Sequence, residues 1–321
     1  MNDDGGRFGA ETRPAVLAFD VGGTDMKAGI VLPSGRIIGL QRLPTPKHPE
    51  GTGGAVIQKI AELAADFRER YANFPFSAAG LIVPGLVDEV TGTGILSANL
   101  GWKDFPFAAR AQAALGLPVA FGHDVGAAGE AEFRFGAARG TADAVVLVIG
   151  TGIAGAVFSD GRRLTGGGYA GELGHAPVPD PDRPGSTTIL EAVGSAGAVA
   201  ARYTAATGRS VAGGAQQVLA LASAGDPDAG RVWNEAIDAL AFSIVHCVSI
   251  LGSQTIVIGG GLSQAGEALL GPLRTRVEEL LTIHRRPLIV PATLGQNAGL
   301  IGSALKAREL LDTIESDIEA L

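Results

Sequence analysis

The sequence predicts an α/β protein made of two similar domains, and three observations carry that prediction. Its 321 residues exceed the usual size of a single core. Apolar, β-branched runs alternate with stretches of helical periodicity along most of the chain. One strand–turn–strand pattern occurs twice, well over a hundred residues apart.

The first copy is Asp20-Val-Gly-Gly-Thr-Asp-Met-Lys27, which joins an apolar run at 16–19 to another at 26–32 through a turn that only small residues can make. Gly22 and Gly23 let backbone N–H groups approach an anion with no Cβ between them, and Thr24 adds a hydroxyl. Asp20 ends the incoming strand, where a carboxylate suits a Mg²⁺ or its waters beside a phosphate. An ordinary Gly-Gly hairpin turn fits the same residues, and Lys27 reads equally as a phosphate contact or a solvated lysine. The turn Pro33-Ser-Gly-Arg36 closes this copy.

The second copy is Val148-Ile-Gly-Thr-Gly-Ile-Ala-Gly-Ala-Val-Phe158, with Gly150, Thr151 and Gly152 at the turn and Ser159-Asp-Gly-Arg162 closing it. A third apolar strand, 255–258, runs into Gly259, Gly260 and Gly261, which suits close approach of a nucleotide at the carboxyl end of a strand. Two such units predict duplicated α/β domains, each presenting a phosphate-facing hairpin to a shared cleft.

Helical periodicity marks 54–71, 105–115, 125–135, 190–203, 230–251 and 266–283. Pro118 starts a strand over 119–121, and the segment from there to Asp124 reads as the crossing between domains. The apolar region 241–258 is interrupted by Ser243, His246, Ser249, Gly252, Ser253 and Gln254, so it reads as a buried helix and a buried strand rather than a membrane span. Residues 1–13 are polar and glycine-rich, lack the apolar block of a signal peptide, and are expected to be a frayed tail.

Charge narrows the function. With 33 acidic against 25 basic residues, a net −8, and no run of Lys or Arg, a nucleic-acid surface is excluded. The single cysteine, Cys247, sits in an apolar stretch and can form no internal disulfide, which predicts core packing in a reducing cytoplasm. Asp124 follows a strand and precedes a helix; it fits a cleft-edge carboxylate and equally a helix N-cap. Glu172 and His175, three apart, can converge on a vicinal diol, since the carboxylate accepts and imidazole donates or accepts; a local hydrogen-bonded turn fits them too.

In this order the motifs resemble the ROK (repressor, open reading frame, kinase) family, sugar kinases of the actin-like ATPase superfamily. The resemblance runs over about 16–307 and includes both Gly-Thr hairpins, Val83-Pro-Gly-Leu-Val-Asp88, Asn99-Leu-Gly-Trp102, His123-Asp124-Val125, Gly171-Glu-Leu-Gly-His175 and Leu294-Gly-Gln-Asn-Ala-Gly-Leu-Ile-Gly-Ser303. It implies a two-domain actin-like ATPase (ribonuclease H-like) fold, α/β in both duplicated domains with a cleft between them. The expected small N-terminal domain comprises 1–121 with about 304–321, because a last helix from Ala298 packs back on it; 122–303 form the larger C-terminal domain.

By that resemblance Asp20, Gly22, Gly23, Thr24, Gly150, Thr151 and Gly152 surround the phosphates of Mg-ATP, with Lys27 as a further contact, and Asp20 holds Mg²⁺ through water. Gly259, Gly260 and Gly261 meet the nucleoside. Asp124 is the implied catalytic base. A helix N-terminus favours the carboxylate form and weakens the base, which phosphoryl transfer tolerates because placing the hydroxyl in line matters more than early proton abstraction. Glu172, His175 and Glu191 are implied to contact hydroxyls near the anomeric end of a sugar. Asn99, together with Asp124, lies nearer the reacting end, although Asn99 also suits a plain turn. Gly85 and His123 complete the implied substrate set.

Two departures from the family alter these expectations. Where most members carry three cysteines that bind a structural zinc with the His, residues 176–190 have none, so no Cys₃His site can form and no zinc is expected. The prolines there are expected to supply rigidity by restricting φ. His123 stands where the family often has Asn, which can shift the preferred sugar or leave it unchanged. The resulting expectation is a cytoplasmic, homodimeric, glucokinase-like ATP:hexose phosphotransferase acting at the 6-hydroxyl of glucose or a close relative, with no nucleic-acid or membrane partner. Its rivals are a kinase for mannose, fructose, allose or an N-acetylhexosamine, polyphosphate as donor, and a non-catalytic sugar sensor. The sensor's winged-helix DNA-binding domain has no expected place before a first strand that begins near Val16.

Overall fold

Two five-stranded sheets with the same connectivity organise the chain, and the alternation of their side chains explains why both faces of each are covered. The structure, a computed structural model, describes residues 14–48 and 51–319, so the predicted tail at 1–13 lies outside the described residues. In the first half the order is β1 (Ala15–Val21), β2 (Asp25–Val31), β3 (Ile37–Pro44), α1 (Thr52–Arg70) and β4 (Phe76–Val83). A meander of β5 (Leu86–Asp88), β6 (Thr93–Ser97) and β7 (Trp102–Phe105) follows, then α2 (Phe107–Leu115), β8 (Val119–His123) and α3 (Asp124–Phe135). The sheet order is β3-β2-β1-β4-β8, antiparallel across β1–β3 and parallel across β1, β4 and β8.

The second half repeats this plan with β9 (Ala144–Ile149), β10 (Ile153–Ser159) and β11 (Arg162–Leu164). Next come β12 (Pro177–Pro179) and β13 (Thr187–Ile189), then helices α4 (Glu191–Gly194), α5 (Ala196–Thr207), α6 (Gly214–Ser223) and α7 (Pro227–Leu251). β14 (Thr255–Gly259), α8 (Glu267–Leu280), β15 (Leu288–Pro291) and α9 (Ala298–Glu319) complete the chain. Its sheet order, β11-β10-β9-β14-β15, matches the first strand for strand. The turn from β10 to β11 shows why Asp-Gly was needed: Asp160 and Gly161 have φ of 50° and 75°, the left-handed pair that a two-residue hairpin requires.

All seven residues of β1 are buried. Leu17, Phe19 and Val21 face α1 and α2 through Val56, Ile60, Phe67 and Phe107. Val16 and Ala18 face α9 through Leu300, Ala304 and Ala307. In the second sheet Val145, Leu147 and Ile149 meet the large cluster that contains α7, while Ala144 and Val146 meet Phe158 and Val257. Near-continuous apolar strands are what burial on both faces demands.

The first compact unit ends at Ala131 and resumes at Gln296; the second is Glu132–Gly295. The sequence places these divides at 121 and about 304, whereas β8, the start of α3 and all of α9 pack with the first unit. Glu132, 1% exposed, is held within the second unit by N–H donation from Leu294 at 2.7 Å and Ala137 at 2.9 Å, and by the Thr293 hydroxyl at 3.2 Å.

Two helical expectations are corrected. The periodic stretch 190–203 is two helices broken at Ser195, whose extended backbone (ψ 157°) ends α4 while its hydroxyl caps α5 by accepting from Ala198 N–H at 3.0 Å. Helix α6 had no predicted counterpart. Helix α7 is long and apolar enough to cross a membrane by composition, yet Val232, Trp233, Ile237, Leu240, Ile244 and Val248 are buried in the unit's core. Cys247 is buried there too, its thiol pushed up to about 11 by that burial.

Candidate active site

In the first unit the turn after β1 is shaped by a residue the sequence reading did not single out. Gly22 N–H closes on the Asp25 carbonyl at 2.9 Å, and Thr45, 5% exposed, braces the loop from outside. Its hydroxyl donates to the Gly22 carbonyl at 2.7 Å and its N–H to that of Thr24 at 2.8 Å. Gly23 and Thr24 are left exposed, and no atom of the described residues lies within 4 Å of where a Gly23 side chain would start. Asp20 is 8% exposed and pairs with Lys27 Nζ at 2.8 Å. A Cβ on Gly299, in the first turn of α9, would fall 2.6 Å from Asp20 Oδ2, so a glycine at a helix start admits that carboxylate. Lys27 is thus neither a solvated lysine nor a lone cation; its charge is paired.

At the end of β8 the helix cap falls one residue earlier than the sequence suggested. His123 Nδ1 accepts the Gly126 N–H at 3.3 Å, which makes His123 the N-cap of α3 and Asp124 its first residue. With Nδ1 accepting, the proton of the neutral ring is assigned to Nε2, 3.3 Å from Asp124 Oδ1. Asp124 Oδ1 also accepts the Val125 N–H at 2.7 Å. The His123 N–H donates to Glu89 at 3.1 Å, and Lys306 of α9 bonds the same carboxylate at 2.8 Å, so two distant residues hold the strand end. Asn99 is exposed in the meander, with no side-chain hydrogen bond to another described residue. Gly85 turns the chain between β4 and β5 at φ 97°, and a Cβ there would sit 2.3 Å from the Leu96 carbonyl.

In the second unit Glu191 joins two motifs that are far apart in sequence. Its Oε2 accepts the Ile153 N–H at 2.8 Å. A Cβ on Gly152 would lie 2.4 Å from that oxygen, and one on Gly174 would lie 3.2 Å from it. The carboxylate therefore occupies space left by the glycines of the Gly-Thr-Gly turn and of the Gly-His motif. Glu172 is half-buried and His175 exposed, and neither side chain has a hydrogen-bond partner among the described residues.

The Gly150–Gly152 turn docks on the start of α5, where Ala196 N–H donates to the Gly150 carbonyl at 2.9 Å. Gly260, at φ 81°, comes so near β9 that a Cβ would meet the Ile149 carbonyl at 2.4 Å, which sets the Gly259–Gly261 turn beside Gly150. Next to Gly261 is a cavity of about 370 Å³ lined by Ala196, Gln216, Leu219, Trp233, Leu262 and Gln264. Open glycine turns beside an apolar cavity with amide groups are the surroundings a nucleotide needs. Among the described residues no group of three or more His, Cys, Asp or Glu side chains could hold a metal ion.

The model of the ROK family matches residues 16–309. The glucokinase of Halalkalibacterium halodurans is 30% identical, over 94% of this chain and 98% of its own. The bifunctional enzyme NanE/NanK of Brucella melitensis is 37% identical over 92% of this chain but 54% of its own, so the chain spans about half of that relative. The N-acetylmannosamine kinase of Citrobacter koseri is 31% identical over 92% of this chain and 99% of its own. Among solved structures, a ROK hexokinase from Thermus thermophilus superposes with a TM-score of 0.79 at 33% identity, covering 93% of this chain and 99% of that one. A ROK glucokinase from Streptomyces griseus, in complex with glucose and AMPPNP, gives 0.75 at 28% identity, covering 92% and 99%. With a family match that begins inside its first strand and ends within its last helix, this chain belongs to the ROK family and has the actin-like ATPase fold of the family's sugar kinases.

Proposed function

We propose that this chain is a glucokinase-like sugar kinase that transfers the γ-phosphoryl group of ATP to the 6-hydroxyl of a hexose, glucose or a close relative. The observation that carries this reading is the division of labour among the polar residues. Asn99, Glu172 and His175 are committed to no partner among the described residues, whereas Glu191 and His123 are pinned by backbone N–H groups. Uncommitted acceptors and donors of this kind suit hydroxyls, and pinned ones set where those hydroxyls lie.

In this reading Glu172, His175 and Glu191 bind hydroxyls near the anomeric end, while Asn99, Gly85 and His123 border the reacting end. Asp124 orients the 6-hydroxyl and accepts its proton late in the transfer. The Gly22–Thr24 and Gly150–Gly152 turns hold the phosphates, and Gly259–Gly261 with the cavity beside them take the nucleoside. Asp20 would hold Mg²⁺ through water; its contact with Lys27 fits that role because it fixes where the carboxylate points. The ion, when bound, neutralises phosphate charge. Action in the cytoplasm, which the lone, buried Cys247 supports, and assembly as a homodimer belong to the same reading.

A second substrate, an N-acetylated hexosamine, is favoured by the identity to the N-acetylmannosamine kinase, which is as high as that to the glucokinase. The test is ADP release with Mg-ATP or polyphosphate across glucose, mannose, fructose, allose and N-acetylmannosamine, for wild type and Asp124→Ala in parallel. The expected result is turnover of one sugar, reduced on the order of 10² to 10⁴-fold in the variant. Undiminished turnover in Asp124→Ala would sink its assignment; sugar binding by calorimetry without turnover would make the chain a sensor.

A further inference from the structure

Residues 176–190 lie between two side chains of the proposed sugar site, His175 and Glu191, and their own pairing is short. β12 and β13 share three register positions, and Leu190 N–H donates to the Ala176 carbonyl at 2.9 Å. A two-stranded ribbon of this length is marginal by itself in water. Its tip is a closed turn around Asp180, 8% exposed, whose carboxylate accepts the Asp182 N–H at 3.0 Å and Arg183 Nε at 2.9 Å.

Arg202 of α5 fastens this tip to the helical layer. Its Nε and Nη2 each donate to the Asp182 carboxylate at 3.0 Å, a two-pronged pair, and Nη2 also donates to Glu235 of α7 at 2.7 Å. Glu235 is held in turn by Arg231 at 3.1 Å. The Arg202 side chain is 11% exposed, and its Nη1 is buried with no hydrogen-bond partner among the described residues. Burial works to lower the Arg202 pKa, but the bonds to Asp182 and Glu235 outweigh it and the pKa is raised; the same bond from Arg202 holds Asp182 below its ordinary value. Burying a guanidinium with one nitrogen unsatisfied costs stability that an apolar residue would not. A group retained at such cost on a helix, and bonded to the loop that spaces two proposed binding residues, points to positioning.

We propose that Arg202 is a positioning residue for sugar binding: by tying Asp182 on the 176–190 hairpin to Glu235 on α7, it fixes the placement of His175 and Glu191. The proposal rests on the sugar-kinase reading, so its test has one arm that needs no activity. Hydrogen exchange at the Leu190 and Asp180 amides is followed in wild type, Arg202→Lys and Arg202→Met, with the buried amides of β9 as internal reference. Steady-state kcat and KM are measured on the same proteins for glucose, N-acetylmannosamine and Mg-ATP.

Arg202→Met is expected to speed exchange at both hairpin amides but not in β9. It is expected to raise the sugar KM on the order of ten-fold while kcat and the ATP KM stay within about two-fold, with Arg202→Lys between it and wild type. Unchanged hairpin exchange overturns the clamp, whether or not any sugar is turned over. Faster exchange with an unmoved sugar KM overturns the positioning role. A chain that phosphorylates and binds none of the five sugars tested above refutes the functional reading, and the exchange arm then decides the clamp alone. If Arg202→Met does not fold, Asp182→Asn, which weakens the exposed arm and leaves the Arg202–Glu235 pair, is read by the same criteria.

Discussion

A methyl group added at Gly152 would place its carbon 2.4 Å from Glu191 Oε2, and the atom that must give way is the end of a side chain, not backbone. Gly152 does not have the positive φ that would strain an alanine. Gly152→Ala is therefore expected to fold but to melt a few degrees below wild type, because Ile153 N–H loses the Glu191 carboxylate, and to raise the sugar KM on the order of ten-fold; thermal melts with sugar saturation curves check both halves. His123 makes a different separation. His123→Leu removes the acceptor for Gly126 N–H and the ring nitrogen facing Asp124, so it is expected to lose about 1 kcal/mol of stability and to lower kcat. His123→Asn keeps a capping oxygen and is expected to keep most of that stability, which denaturant unfolding of the two variants resolves. Such residue-level facts were only half legible. Asp20, Asp124 and Glu191 are visible as acidic residues in recognisable motifs. Their supports, Thr45, Gly299, Glu89 and Lys306, are remote in sequence and carry no local signal, because only the folded chain brings them near.

Among the elements, those with strong periodicity and clear punctuation were readable and those defined by one hydrogen bond were not. The turn residues Ser34-Gly35 and Asp160-Gly161 announce the ends of β2 and β10, and Gly252 at φ 65° ends α7 as helix-terminating glycines do. The break at Ser195 was missed because apolar spacing continues across it; a serine hydroxyl turning back to Ala198 N–H ends one helix and begins another without interrupting the hydrophobic pattern. The start of α7 is set by Asp226, which accepts the N–H groups of Asp228 at 3.0 Å and Ala229 at 3.1 Å, the Tyr203 hydroxyl at 2.9 Å and Arg209 at 2.5 Å. The Ala229 backbone bond, with Arg209 next, holds its pKa at about 2 against an ordinary 3.8. A pKa lowered by folding means that the ionised group stabilises above the unfolded value and that this contribution disappears as pH falls through the folded one. Asp226→Asn, which still caps but cannot ionise, is expected to lower Tm at neutral pH. The gap to wild type should narrow from about pH 4 downward and close near pH 2, as melting curves along a pH series would show.

For the whole molecule, the duplication was legible because two Gly-Thr hairpins sit in matching contexts, and the identical strand orders of the two sheets agree with it. The return of the last helix was not readable from periodicity, since an amphipathic helix does not name the sheet it covers. What selects the sheet is close backbone approach. A Cβ on Gly80 of β4 would lie 1.9 Å from the Ser303 carbonyl of α9, and one on Gly302 would lie 1.9 Å from that of Ala127 in α3. Ser303 uses the closeness to donate to the Phe19 carbonyl at 3.1 Å, and Arg308 bonds the carbonyls of Pro14 and Val31 at 3.0 and 2.8 Å. Three glycines, Gly80, Gly302 and Gly299, thus let one helix seal a sheet and present its start to the Asp20 carboxylate. In contrast to Gly152, the atoms opposing Gly80 belong to a helix backbone that cannot rotate aside. Gly80→Ala is expected to cost about 3 kcal/mol or more, beyond ordinary overpacking, and to lower Tm on the order of ten degrees. Because α9 must lift to admit the methyl group, the pairing of Asp20 beside Gly299 should loosen as well. The variant is therefore expected to raise the KM for Mg-ATP at temperatures where it is still folded, whereas a fall in Tm with unchanged nucleotide KM would show that α9 seals the sheet without setting the site.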